Sequence, residues 1–189
     1  MQKRKKVIKW LEDNVPPKRV KHILGVEQMS IELAIKHDCD QKKAATAGLM
    51  HDLAKFFPPK KLLKMAKKND LELDLIVQKH PHLIHADVSA IVAQEEFGIK
   101  DTKILDAISN HTLGQPEMSK LSCIVFIADK LEVTRGETEE LNQMREVSYQ
   151  NLYRGLMMVC NYSLDYLIKC NQVIHPRTIL TRNWALSQI

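Results

Sequence analysis

Apolar residues in this chain recur at spacings of three and four, and sustained strand-like alternation with polar residues is absent. Val20, Ile23, Leu24, Ile31 and Ala34 sketch one helical stripe, and Ala44, Ala45, Ala47, Gly48 and Met50 begin another. Asn-Gly and Asp-Gly hairpin signals are absent. The pattern predicts an all-α fold, a single-domain helical bundle over 1–189 with its core at about 18–170.

Sparse punctuation, 6 Gly and 7 Pro, divides the stripes into eight or nine short helices. Pro58-Pro59 closes one helix and opens another through Lys68. A helix over 83–97 stops at Gly98, and Asp101 caps the next toward His111. One from about Met118 to Val133 stops near Gly136, and 137–171 supports one long helix or two. Pro176 starts a last short segment within 171–189.

With 189 residues, 44% of them hydrophobic and 27% charged, the chain has the balance of a soluble globular domain with a sizeable core. Its notable apolar run, Cys123–Ala128, is far short of the roughly 20 residues of a membrane span. The basic N-terminus lacks the apolar stretch of a secretory signal. No two of Cys39, Cys123, Cys160 and Cys170 have C-x-x-C spacing, so they read as reduced thiols of a cytoplasmic protein without membrane partners.

Charge is unevenly spread. Residues 1–68 hold 17 basic and 7 acidic side chains, and the remainder 11 and 16. A basic half suggests an anionic partner, such as a polyphosphate nucleotide, a nucleic acid or an acidic surface. No aromatic residues interleave with the lysines, so nucleic acid is not expected.

The residues that carry chemistry stand out by context. His37-Asp38 ends a helix in a polar string, where a solvated cap explains it. His51-Asp52 instead follows AATAGLM, a small-residue run suited to close helix packing, and precedes Leu53-Ala54. A carboxylate buried there needs a metal, a cation or several donors. Asp129 ends SCIVFIAD, so it too faces an apolar environment, with a salt bridge as the alternative explanation. Arg135, shortly after, can serve that bridge or a bound anion. Imidazole with carboxylate suits a borderline divalent ion such as Fe, Mn, Co or Zn. Lys55 lies one turn beyond His51, and Arg19 three residues before His22 on a largely apolar face.

The order His22, His51-Asp52, Asp129 resembles the HD-domain metal-dependent phosphohydrolase superfamily. The segments RVKHILGVEQMSIELA, LMHDLAKF, EEFGIKD, NHTLGQPEMSKL, FIADKLEVTRG and IHPRTILTRN resemble its bacterial YqeK-like family, from about residue 19 to 183. The resemblance implies an iron-containing enzyme that cuts diadenosine tetraphosphate (Ap4A) symmetrically into two ADP, with Mn or Co as substitute ions and a homodimer as a possible assembly. It implies His22, His51, Asp52 and Asp129 as ligands, the last three catalytic. With two ions, Asp52 bridges and His85 and His111 face the second ion or a phosphate. Arg19, Lys55, His85, His111, Thr112 and Arg135 are the expected substrate contacts, with His175, Thr178 and Asn183 near the adenosine as 171–189 packs by the nucleotide site. In QKHPHLIHADVSA, His80, His82 and His85 all compete for one role. The family phrase Glu-Pro-x-Arg is here Glu132-Val133-Thr134-Arg135, which predicts a looser turn around Arg135. Rival expectations are an HD-type phosphohydrolase for a deoxynucleotide or guanosine alarmone, a non-catalytic nucleotide sensor, and an RNA-associated helical protein.

Overall fold

Helix boundaries follow a few local signals. The computed structural model describes residues 2–189, so Met1 of the expected 1–189 domain lies outside the described residues. In chain order the helices are α1 (Gln2–Asn14), α2 (Pro17–Lys36), α3 (Gln41–Met50), α4 (Pro59–Lys68), α5 (Leu75–Lys79) and α6 (His85–Phe97). They continue as α7 (Thr102–Asn110), α8 (Lys120–Leu131), α9 (Glu139–Gln150), α10 (Leu152–Lys169) and α11 (Pro176–Ser187). Short 3-10 turns occupy Pro81–Ile84 and Val133–Arg135, and the described residues contain no strand. The fold is all-α, as the periodicity predicts.

Side chains satisfy the free N–H groups at several helix starts. Asp40 accepts from the Lys42 and Lys43 amides, Asp101 from Lys103, Ser119 from Ser122 and Asn151 from Arg154. Pro17, Pro59 and Pro176 open α2, α4 and α11, and Gly98 (φ 62°) ends α6 in the left-handed conformation.

Among the described residues eleven helices form where eight or nine are expected. Residues 137–171 divide because Asn151 is extended (φ −143°, ψ 108°) and its side chain restarts the helix. The expected 83–97 helix begins as a 3-10 turn, which places His85 at the first position of α6. The lysine-rich N-terminus is helical because α1 still carries Val7 and Leu11, both fully buried. Trp10 reinforces that seam, with its ring 6.4 Å from Phe57 and 6.2 Å from Phe97. The apolar core therefore reaches back beyond residue 18.

α8 is the central helix, packed by α2, α3, α7, α9 and α10. Ile124, Val125, Phe126, Ile127 and Ala128 are fully buried. Each large apolar side chain so buried contributes roughly 1.5–3 kcal/mol. The same helix carries Asp129 into this interior. α2 and α3 approach closely at Gly48, where an added Cβ would lie 3.0 Å from the Glu27 Cα and 2.9 Å from the Ser30 Oγ. The small-residue run thus brings His51-Asp52 up to the face of α2 that carries His22.

Candidate metal centre

His51 and His111 each follow the last residue of a helix, and His85 opens α6. Each of these rings turns back on the carbonyl three residues earlier. His51 Nδ1 lies 2.7 Å from the Gly48 oxygen, His85 Nδ1 2.6 Å from His82, and His111 Nδ1 2.7 Å from Ile108. A carbonyl only accepts, so Nδ1 carries the proton and Nε2 presents a lone pair. His22 lies inside α2, and its Nδ1 meets Glu132 Oε1 at 2.8 Å.

The four Nε2 atoms converge on two carboxylates. His22 and His51 lie 3.0 and 3.7 Å from Asp129 Oδ1. His51 lies 3.2 Å from Asp52 Oδ2, while His85 and His111 lie 3.3 and 3.6 Å from Asp52 Oδ1. Asp52 therefore turns one oxygen toward each imidazole pair. All six residues are buried, with Asp52 and His51 completely so. His22 Nε2, His51 Nε2 and Asp52 Oδ1 have no hydrogen-bond partner. His85 Nε2 and His111 Nε2 stand 3.2 Å apart with a single nearby hydroxyl, Thr112 Oγ1, to share between them.

Neutral lone pairs and carboxylates crowded this way repel unless a cation lies among them. Ligands about 2.1 Å from a common ion sit roughly 3–4 Å from one another. His22, His51 and Asp129 form one set of candidate ligand atoms within 4.8 Å, and His51, Asp52 and His111 a second. The donor set fits a divalent metal.

Electrostatics points the same way. Burial pushes His111 down to about 3 and also lowers His85, so both rings are neutral near pH 7. Burial raises the Asp52 carboxyl, but the imidazoles of His51, His111 and His85 that face it outweigh burial and hold the acid well below the usual carboxylate range. With the rings neutral, a divalent ion held among these atoms would supply the positive charge that keeps both carboxylates ionised. At Asp129 burial is likewise outweighed, by Lys130 and His22.

Cationic side chains surround the carboxylates on the cleft side. Arg19 Nε donates to Asp52 Oδ2 at 2.6 Å, and a second guanidinium nitrogen approaches the same oxygen. Lys130 Nζ and Arg135 Nη2 donate to Asp129 at 2.5 and 2.8 Å. Lys55 Nζ is 3.3 Å from His85 Nε2. The salt bridge weighed as the alternative explanation of Asp129 is therefore present alongside the imidazole contacts. A cleft of about 500 Å³ opens from this cluster, lined by Arg19, Lys55, Asp129, Lys130 and Arg135 and walled by apolar and tyrosine side chains. That volume suits one organic ligand of moderate size.

Among His80, His82 and His85, only His85 enters the centre; the other two line the cleft. Thr112 and Thr178 also line it. His175 lines it as well, but both of its ring nitrogens are engaged, Nε2 with Asp74 Oδ2 at 2.6 Å and Nδ1 with the Arg177 amide at 3.2 Å. It fixes the start of α11 rather than offering a free donor. Asn183 departs from expectation: it is exposed on α11, accepts from Arg182 and is absent from the cleft. Nor is the turn around Arg135 loose. Arg135 Nε donates to the Asp129 carbonyl at 2.8 Å, and Arg145 ties the Leu131 and Gly136 carbonyls at 2.6 and 2.7 Å. Glu132 and Lys130 are the residues that sequence reasoning missed. For Glu132 nothing local gave a signal, since LEVTRG reads as a polar helix end.

Comparison with known proteins places these features. The HD domain family matches residues 19–134. The chain is 33% identical to "Bis(5'-nucleosyl)-tetraphosphatase, symmetrical" of Bacillus subtilis (strain 168), over 97% of this chain and 98% of that protein. It is 31% identical to the protein of the same name from Halalkalibacterium halodurans, over 97% of each. The crystal structure of a "predicted HD superfamily hydrolase involved in NAD metabolism" from Clostridium acetobutylicum superposes with a TM-score of 0.93 at 32% identity, covering 98% of this chain and 97% of that one. With its residues 19–134 matching that domain and its whole length resembling these relatives, the chain belongs to the HD-domain family, in the branch of the symmetrical bis(5'-nucleosyl)-tetraphosphatases.

Proposed function

We propose that this protein hydrolyses Ap4A symmetrically, with a resident divalent metal held by His22, His51, Asp52 and Asp129. The observation that carries the reading is Asp52, fully buried, with one oxygen toward His51 and the other toward His85 and His111, at the base of a cationic cleft. Were two ions held, Asp52 would offer an oxygen to each, and His85 and His111 would serve the second. An all-nitrogen-and-oxygen donor set favours a borderline metal, and iron is the ion we assign, with manganese or cobalt as substitutes.

When bound, such a metal polarises a phosphoryl oxygen and makes hydroxide available from water near neutral pH. The remaining work belongs to the chain. Arg19, Lys55 and Arg135 neutralise the polyphosphate, and Arg135 presents a guanidinium fork suited to two phosphate oxygens. Lys130 adds a further charge beside Asp129. Thr112 offers a hydroxyl donor beside His85 and His111. Thr178 and the apolar walls enclose one nucleoside, and 171–189 closes that side of the cleft. Water adds to an inner phosphorus, the central P–O–P bridge breaks, and two ADP leave. The free thiols of all four cysteines agree with a reducing, cytoplasmic setting.

The test combines metal analysis of protein purified without oxygen with chromatography of the products from Ap4A. Bound iron and two ADP are expected. AMP plus ATP, or no turnover with iron, manganese or cobalt supplied, overturns the reading.

A further inference from the structure

His22 differs from the other three imidazoles in having no local anchor. It lies within α2, where the preceding carbonyls serve the helix's own hydrogen bonds. Its Nδ1 proton must find an acceptor elsewhere, and Glu132, 110 residues away, supplies one at 2.8 Å.

We propose that Glu132 is a positioning residue: its buried carboxylate fixes His22 with the proton on Nδ1 and so aims a bare Nε2 at the ion position beside Asp129 and His51. The inference rests on the reading of His22 as a metal ligand.

Three features support a built contact. Glu132 is 1% exposed, so its charge has to be matched inside the protein. Its oxygens are held from the far side by Thr134, whose amide donates to Oε2 at 2.7 Å and whose hydroxyl donates to Oε1 at 2.5 Å. Arg135 Nε approaches Oε1 only to 4.0 Å, leaving His22 and Thr134 as its hydrogen-bond partners. Finally, α2 makes room for the carboxylate at Gly25, one turn beyond His22 on the same face. A Cβ there would sit 2.3 Å from Glu132 Oε2 and 3.0 Å from its Cδ. The glycine, the acid and the threonine form one clamp, assembled from α2 and the 3-10 turn after α8. An outer carboxylate on a ligating imidazole fixes ring orientation and raises its basicity, typically worth about 10–100-fold in metal affinity.

The experiment uses the full chain loaded with zinc, a diamagnetic probe, and two readouts: zinc affinity by chelator competition and the His22 Nδ1 proton by NMR. Wild type should show a downfield, slowly exchanging Nδ1 proton. Glu132→Ala should lose that signal and bind zinc about 10–100-fold more weakly. Glu132→Gln keeps an acceptor oxygen and should retain the proton signal. Gly25→Ala leaves the acid in place but displaces it, and should weaken zinc binding in the same direction; it serves if Glu132→Ala does not fold. Wild-type affinity and an unchanged proton signal in both Glu132→Ala and Gly25→Ala overturn the clamp. Wild-type protein that takes up no metal overturns the metal reading instead, while the Nδ1 proton in the metal-free chain still reports on the clamp.

Discussion

Four imidazoles face the same buried carboxylates, and they are held there in two ways. His51, His85 and His111 each lean on the carbonyl three residues behind them, where a helix or a 3-10 turn ends. His22 leans on a side chain 110 residues further along the chain. The first arrangement needs only a local backbone turn. The second needs α2, α8 and the following 3-10 turn to be docked correctly. The difference predicts where the centre is robust and where substitutions remote in sequence reach it.

Asp129 lies where the two kinds of anchored ring meet, 3.0 Å from His22 and 3.7 Å from His51. Asp129→Ala should therefore have the largest effect: no retained metal and Ap4A turnover at background. Metal analysis and product chromatography check both. Full activity in this variant would show that the locally anchored rings suffice without the ligand they share with His22.

The local anchors are not immune to packing. Gly48 supplies the carbonyl that holds His51, and its missing side chain lets α3 lie against the backbone of α2. In Gly48→Ala the new Cβ meets Ser30 Oγ at 2.9 Å and the Glu27 Cα and Val26 carbonyl at 3.0 Å. Two of those three are backbone atoms, so the helices must separate. Overpacking of this kind costs about 1–3 kcal/mol, and the better helix propensity of alanine offsets close to 1 kcal/mol of it. A net loss of up to about 2 kcal/mol is expected in urea unfolding, with weaker metal binding alongside. Unchanged stability would mean that α2 and α3 have slack at this crossing.

The same division explains what the sequence disclosed. His51, Asp52 and Asp129 are legible because a polar residue inside an apolar helix, or at its end, has few benign explanations. His22 is legible from its apolar face and from its place in the order of motifs. Glu132 is not, since LEVTRG reads as an ordinary polar helix end and nothing local indicates a partner 110 residues away. The choice among His80, His82 and His85 needed the 3-10 turn at Pro81–Ile84, which uses His82 as the carbonyl anchor for His85. Asn183 was expected at the nucleotide on resemblance alone. Five residues beyond Thr178 on a helix it points about 140° away, whereas Thr178, Thr181 and Ala185 share the buried stripe.

The smallest expected effect sharpens the comparison from the other side. The turn that presents Glu132 has Val133 where the family phrase has proline, yet its backbone already suits proline. Glu132 is extended at φ −56° and ψ 157°, the conformation favoured before a proline. Val133 is the first residue of the 3-10 turn, where an N–H has no partner within the turn, and its side chain is 71% exposed. Val133→Pro should therefore stabilise the fold by roughly 0.4–1 kcal/mol through the unfolded chain alone. Metal affinity should not change, because the His22 anchor runs through the Glu132 side chain and Thr134 rather than through Val133. Thermal unfolding and chelator competition on the same samples separate the two quantities. A gain in stability with unaltered affinity means that the long-range anchor is already rigid without the proline. A gain in affinity would mean that the valine turn leaves Glu132 partly free, and that His22 is the weakest-held of the four rings.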